Sequence, residues 1–380
     1  MGAGLLLTAC DDTGITDAGE NMRELQLVMG TSETADATNG TTRALPTGYS
    51  SYGTHYSAGL PAIAKIQGYV CDATTGVYSG VFSFTDESNV RKWTSRISID
   101  ETGTLSRYFY GFLPKEAVTS ATIAPNTAYE NGAVITLNGL DALLTSDICV
   151  VVGAKDFVKD NESTPLPAIE SYTWDAGTAD MATRLGKFNV TIQEKKVTYL
   201  YLLADHIFSR LQFKMNISAD YDKLRTIKVK KISLKAATNS NQVVNSVNAV
   251  ITLTANTTNT TPITSVAFTN TLATTGNEKS VAIFDKTEAT EANWLTLTTA
   301  VQEAGVLYVP TNNTTFFLET TYNVYDKTGY LIREDQTVVN KFSLSELARS
   351  TGYTYTITVT PTYLYSLSQY DLDNPTVTVH

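Results

Sequence analysis

Apolar and polar residues alternate in short runs along most of this chain. Leu25, Leu27 and Met29 alternate with Glu24, Gln26 and Val28 in "MRELQLVMG", mostly with the period of two that marks a half-buried strand. Residues 30–48, "GTSETADATNGTTRALPTG", lose the period and read as a flexible loop of small polar residues broken by Gly and Pro. From Tyr49 onward come short β-like runs: "AKIQGYV", "GVYSGVFSF", "SRISI", "RYFYGFL", "AVITL" and "ICVVV". Turn-forming stretches such as "DATTG", "TDESN" and "DETG" separate them.

A second series of strands starts near Lys195. "KKVTYLYLLADHIFSRLQFKMNISADYDKLRTIKVKKISL" predicts long strands joined through "SADYDKL". Residues 253–280 predict a long β-hairpin, and "NNTTFFLETTYNVYDKTGYLIRED" a hairpin turning at Asp326–Gly329. Helical periodicity is scarce. "FSLSELARSTG", Phe342 to Gly352, is the best helix candidate, with Ser343 as N-cap and Gly352 as the stop. No repeat of 20–50 residues is present.

After the strand "GYTYTITVTP" the alternation continues. Tyr363, Tyr365 and Leu367 alternate with Leu364, Ser366 and Ser368; Pro375 interrupts, and Val377 and Val379 then alternate with Thr376 and Thr378. The pattern predicts an all-β chain of antiparallel sheets packed as sandwiches. The expected organisation is a tether over residues 1–21, a strand and loop over 22–43, β-sandwich domains over 44–194 and 195–362, and a β extension over 363–380.

Composition narrows the function classes. With 380 residues, the chain has room for two domains. Its 42% hydrophobic content fills ordinary cores. A net charge of −10 disfavours nucleic acid and anionic lipid surfaces as partners. No apolar run approaches the ~20 residues of a membrane-spanning helix.

The opening "MGAGLLLTACDD" resembles a bacterial lipobox, with Cys10 as the lipidated residue. Its apolar region is short and a basic n-region is missing, so the expectation is that the sequence starts inside a longer precursor. Cys71 and Cys149 remain. They either pair in an oxidising compartment or stay as two buried thiols, and their spacing does not make a metal site.

Signs of catalysis are absent from the sequence. HExxH, P-loop, GxSxG and paired CxxC motifs do not occur, and no cofactor motif does. His206 in "LLADHIFSRLQF" reads as a structural residue at a strand bend; His55 and His380 sit in polar or terminal surroundings. "DDTG" at Asp11–Gly14 lies in the tether, and "DLDN" at Asp371–Asn374 reads as a turn rather than a Ca²⁺ loop. The expectation is a non-enzyme.

The order of these parts resembles the fimbrillin family, the subunits of type V pili of Bacteroidetes-type bacteria. "LLTAC", "TTRA", "DHIFSRLQFKM" and "YLYSLSQYDLDNPTVTV" carry the resemblance. It implies transthyretin-like sandwich domains and a lipoprotein precursor in the outer membrane. An arginine-specific surface protease would then cut the Arg43–Ala44 bond. Leu25, Leu27 and Met29 would belong to a strand displaced on maturation. Tyr363, Tyr365, Leu367, Val377 and Val379 would belong to a donor strand that fills a neighbouring subunit by β-strand addition. Arg23 is a rival cut site, shielded if its strand is paired. The resemblance implies a stalk subunit of an adhesive surface fimbria. Alternatives are an anchor or tip adhesin, or a surface glycan-binding lipoprotein whose Trp93, Trp174 and Trp294 stack on sugars.

Overall fold

The computed structural model describes residues 22–28, 65–87, 90–99, 101–158, 184–194, 196–256, 262–364 and 369–379. These residues are mainly β, as the alternation predicts. One sheet has the order β2-β3-β4-β1-β10-β8-β5-β9. Its strands are β1 (Met22–Val28), β2 (Ile66–Cys71), β3 (Val77–Glu87), β4 (Val90–Ser98), β5 (Leu105–Leu113), β8 (Cys149–Val158), β9 (Asn189–Ile192) and β10 (Thr198–His206). Because β2 also pairs with β5, seven of these strands close into a barrel-like ring, and β9 hangs on β5.

This ring replaces the first expected sandwich. Closure depends on glycines inside strands. Gly80, Gly68 and Gly111 face one another across β3, β2 and β5. A Cβ on Gly68 would lie 2.5 Å from the Phe82 ring, and one on Gly111 would lie 2.6 Å from the Gln67 carbonyl oxygen. Their absence admits the edge-to-face pair Phe82–Phe109 and lets the sheet coil tightly at this corner.

The remaining strands form two further sheets. One has the order β17-β11-β20-β21, with β11 (Ser209–Ile217), β17 (Gln302–Val309), β20 (Gly352–Leu364) and β21 (Gln369–Val379). The other has the order β19-β18-β12-β13-β7-β6. It is built from β6 (Ser120–Asn126), β7 (Ala128–Asp141), β12 (Thr226–Ala237), β13 (Val243–Thr254), β18 (Thr315–Tyr325) and β19 (Leu331–Ser343). β14 (Ile263–Leu272) adds to β13, while β15 (Val281–Asp285) and β16 (Leu295–Thr296) add to β12.

These two sheets touch through their apolar faces. Alternate residues of β11, from Ser209 through Leu211, Phe213 and Met215 to Ile217, are buried. Phe213 meets Phe342 of β19 edge-on, and Phe342 stacks on Phe316 of β18. The ring and the sheets share one continuous apolar core.

Strand membership crosses the boundary expected near 194. β10 lies beyond it yet is a stave of the ring; β6 and β7 lie before it yet join the second set of sheets. The chain first leaves the ring between β5 and β6, returns at β8, and makes its last passage into the sheets at Ile207–Phe208, between β10 and β11.

Two local predictions have different outcomes. The Asp326–Gly329 turn forms between β18 and β19. Asp326 Oδ1 accepts the Thr328 and Tyr330 amides at 2.8 Å, and Gly329 has a φ of +91°. The helix predicted over 342–352 does not form. Phe342 and Ser343 stay in the β19 ladder, the Leu344 amide donates to Thr314, and Ser350 has a φ of +57°. Tertiary pairing overrides a weak helical pattern here. Helical structure among the described residues is limited to short turns such as α1 (Ala219–Asp222).

Candidate functional site

β1 is a ring strand whose two neighbours in space, β4 and β10, are both distant in sequence. It runs antiparallel to β4 over Met22–Leu27 and parallel to β10 over Leu25–Val28. Both of its edges are therefore hydrogen-bonded. Leu25 sits between Ser95 and Thr198, and Leu27 between Trp93 and Leu200. Leu25, Leu27 and Leu200 have no exposed surface, and Trp93 is 3% exposed. Burying each leucine is worth roughly 1.5–3 kcal/mol.

Arg23 is a second fastening that the apolar pattern did not reveal. Only 3% of it is exposed. Its guanidinium donates to the Gly103 carbonyl at 2.9 Å and, at short range, to the Glu101 carbonyl. The Glu101 carboxylate in turn pairs with the buried Arg107. Arg23 is thus enclosed in a polar socket beyond the end of β4, and its backbone pairs with Ile97.

The predicted donor segment lies at the opposite end of the described chain. Tyr363 falls inside β20 and pairs with Tyr370 of β21, so the extension expected to begin at 363 begins within a strand. Alternation continues unbroken through that point, which hid the boundary. Val377 and Val379 pair with Val359 and Ile357. Val377 is buried, and its carbonyl accepts from Asn340 Nδ2 of β19. β21 is paired along one edge only among the described residues.

Cys10, Met29, Arg43, Ala44, Tyr365 and Leu367 lie outside the described residues. So do Trp174, His55 and His380.

The tryptophans that are described do not share a surface. Trp93 is inside the ring. Trp294 is half-buried beside β16, with Lys230 Nζ 4.4 Å from its ring centroid. These two residues do not form an exposed aromatic platform.

Cys71 and Cys149 are both free and buried. Burial pushes both thiols well above the usual cysteine range, so each is held as a neutral thiol. Cys149 pairs in register with His206 across β8 and β10, placing its Sγ 3.5 Å from His206 Nδ1. Asp147 Oδ2 makes a short contact with the same nitrogen. His206 is the last residue of β10, where the chain turns toward β11. The grouping with Asp147 and Cys149 was not legible, because these residues are 59 and 57 positions away.

The comparisons with known proteins add outline similarity. No family model matches the chain, and no curated protein does. Among solved structures it is similar to a candidate cell adhesion protein of Bacteroides fragilis, at 11% identity and a TM-score of 0.36. That alignment covers 94% of this chain and 96% of that one. A fimbrial protein of Bacteroides vulgatus aligns at 11% identity and a TM-score of 0.33, covering 94% and 99%. The fimbrial anchor protein Mfa2 from Porphyromonas gingivalis aligns at 9% identity and a TM-score of 0.29, covering 94% and 96%. Likeness at these scores assigns no activity, and the functional reading rests on the chain's own strands and motifs.

Proposed function

We propose that this chain is a structural subunit of an adhesive surface fimbria, built for strand exchange at the β1 slot. The observation that carries this reading is the placement of β1. It is a stave of the ring paired on both edges, yet Arg43 lies in the connection between Val28 and Ile66, the next described strand. A cut after Arg43 leaves β1 held in the ring by non-covalent contacts alone.

The energetics favour replacement over simple loss. Departure of β1 would expose two strand edges, on β4 and β10, and the trough that holds Leu25 and Leu27. Unpaired edges of this kind recruit another strand. An incoming strand with apolar residues at alternate positions restores the same ladder and fills the same trough, so exchange costs far less than removal. Such contacts are head-to-tail and do not close on themselves, which yields a filament.

In this reading Cys10 carries the lipid of an outer-membrane precursor and Arg43–Ala44 is the bond cut by an arginine-specific protease. Tyr363, Tyr365, Leu367, Val377 and Val379 belong to the donor. β21 must peel from β20 before donating, and that hairpin has a weak point. Pro361 faces Pro375 in the ladder, neither has an N–H to give, and the register shifts beside them. A stalk role follows from having both a slot and a donor; an anchor would retain β1 and its lipid.

The test is N-terminal sequencing of the protein recovered from cells, beside an unheated SDS gel. A start at Ala44 with a ladder of large species is the expected result. A lipidated Cys10 start and a single species would overturn the stalk reading in favour of an anchor or a surface lipoprotein.

A further inference from the structure

We infer that Asp147, Cys149 and His206 form a zinc site at the junction between the ring and the paired sheets. This inference is independent of strand exchange. The three side chains are buried, and their ligand atoms all lie within 4.8 Å of one another. Two come from neighbouring strands in fixed register: Cys149 opens β8, His206 closes β10, and the two are directly paired. Asp147 lies just ahead of β8. The Ile207 amide donates to the Ile148 carbonyl at 3.1 Å, locking the two segments together.

The contacts around His206 Nδ1 are hard to satisfy with protons alone. A ring nitrogen carries either a hydrogen or a lone pair. With a hydrogen, it donates to Asp147, and Cys149 Sγ at 3.5 Å is left as at most a weak acceptor that must place its own S–H elsewhere in a buried site. With a lone pair, it can accept from the thiol but meets the Asp147 carboxylate acceptor to acceptor. A cation among the three atoms lets sulfur, nitrogen and oxygen all act as electron donors.

The separation suits zinc. Zinc bonds thiolate sulfur at about 2.3 Å and imidazole nitrogen at about 2.0–2.1 Å, which in a tetrahedron places those atoms roughly 3.5 Å apart. The observed Cys149 Sγ–His206 Nδ1 distance is 3.5 Å. Asp147 swings off Nδ1 to become the third ligand, and water or its second oxygen completes the shell. Cys149 releases its proton to solvent as the metal binds, and His206 binds through Nδ1 as the tautomer that carries its hydrogen on Nε2. The mixed sulfur, nitrogen and oxygen set selects a borderline metal over calcium or magnesium.

A second layer holds the histidine in place. Asp205 accepts from the His206 amide at 2.8 Å, from Arg349 Nη1 at 2.7 Å and from Ser350 Oγ at 2.9 Å. This ties the end of β10 to the segment between β19 and β20. The metal would therefore pin the crossover between the two halves of the fold.

The experiment uses the full chain, stripped with chelator, desalted and titrated with Co²⁺. Expected are about one equivalent bound, a near-ultraviolet sulfur-to-cobalt charge-transfer band, and displacement of cobalt by Zn²⁺. Cys149→Ser should lose that band while keeping the wild-type far-ultraviolet circular dichroism. Asp147→Asn should keep the band and weaken binding by roughly tenfold or more. Zinc should raise the thermal midpoint of the wild type, and chelator should reverse the rise. A wild-type chain that binds no cobalt, or a sulfur band that survives in Cys149→Ser, overturns the site. If Cys149→Ser does not fold, the wild-type titration and Asp147→Asn decide: no sulfur band, or unchanged affinity in Asp147→Asn, again overturns it.

Discussion

The first and last described strands are both alternating segments with buried valine or leucine, yet they are held in opposite ways. β1 is bonded along both edges, and Leu25 and Leu27 have no exposed surface. β21 is bonded along one edge, its ladder is interrupted at Pro361–Pro375, and Val377 retains 4% exposure. β1 is also short, whereas β21 is a long arm of a hairpin. An interior stave is costly to remove and cheap to replace. An edge strand is cheap to detach and leaves its former sheet intact. That asymmetry suits one segment to be the occupant of a slot and the other to be a donor.

Truncating the slot residue should have the largest effect. Leu27→Ala removes a fully buried side chain from between Trp93 and Leu200. A loss of about 2–5 kcal/mol is expected in urea unfolding of the uncut chain. Hydrogen exchange should accelerate in β4 and β10 while β20 remains protected. Equal acceleration in β20 would mean that the ring and the paired sheets unfold as one, and the contrast between the two ends would fail.

Arg23→Met tests the polar fastening. It keeps the length of the side chain but removes the donors to the Glu101 and Gly103 carbonyls. Hydrogen bonds involving a charged group contribute about 1.5–3 kcal/mol, so a loss in that range is expected from the same unfolding curve. The socket also bears on the proposed cut at Arg43, because it shields the rival Arg23. Arg23 is enclosed, so an arginine-specific protease acting on the folded chain should leave the 23–24 bond intact. Mass spectrometry of the released peptide checks this, and a fragment beginning at Glu24 would show that the strand opens before it leaves.

The two terminal strands also show what the sequence discloses. Period two was enough to place Leu25 and Leu27 on a buried face, because alternation is a local property of one strand. It was enough to mark the described parts of the tail, 363–364 and 369–379, as β. It did not disclose partners. The return of β21 onto β20 and the closure of the ring through β2 and β5 both depend on contacts between strands. Glycines within "IQGYV", "YSGVF" and "YFYGF" were the available signal for closure. They mark strand interiors where a side chain would collide, and only their cross-strand alignment gives them that meaning. The Asp147–Cys149–His206 cluster was hidden for the same reason, since register across β8 and β10 assembles it. The 342–352 segment erred in the other direction. Its helical spacing was real, but the stack of Phe342 on Phe316 requires an extended backbone.

Smaller changes at the β21 end sharpen the contrast. Val377→Ala removes two buried methyl groups from an edge that can relax around the gap. Transfer alone sets a cost of about 1.6 kcal/mol, from roughly 0.8 kcal/mol for each buried carbon. Unfolding of the ring should be unaffected, with faster exchange confined to β20 and β21. A cost matching that of Leu27→Ala would show that the tail is structural rather than a strand held in reserve.

Asn340→Ala should have the smallest effect and the most specific readout. Asn340 Nδ2 donates to the Val377 carbonyl, so this side chain ties β21 to β19 of the opposite sheet. One such bond is worth about 0.5–1.5 kcal/mol. Its loss should barely move the unfolding midpoint. The bond nevertheless opposes peeling directly, so exchange of the β21 amides should rise by about the factor that this energy sets, 2- to 13-fold. If the tail is a donor, the same variant should polymerise faster after cleavage, because detachment precedes insertion. Slower polymerisation would mean that the bond to Asn340 helps to present the tail rather than restrain it.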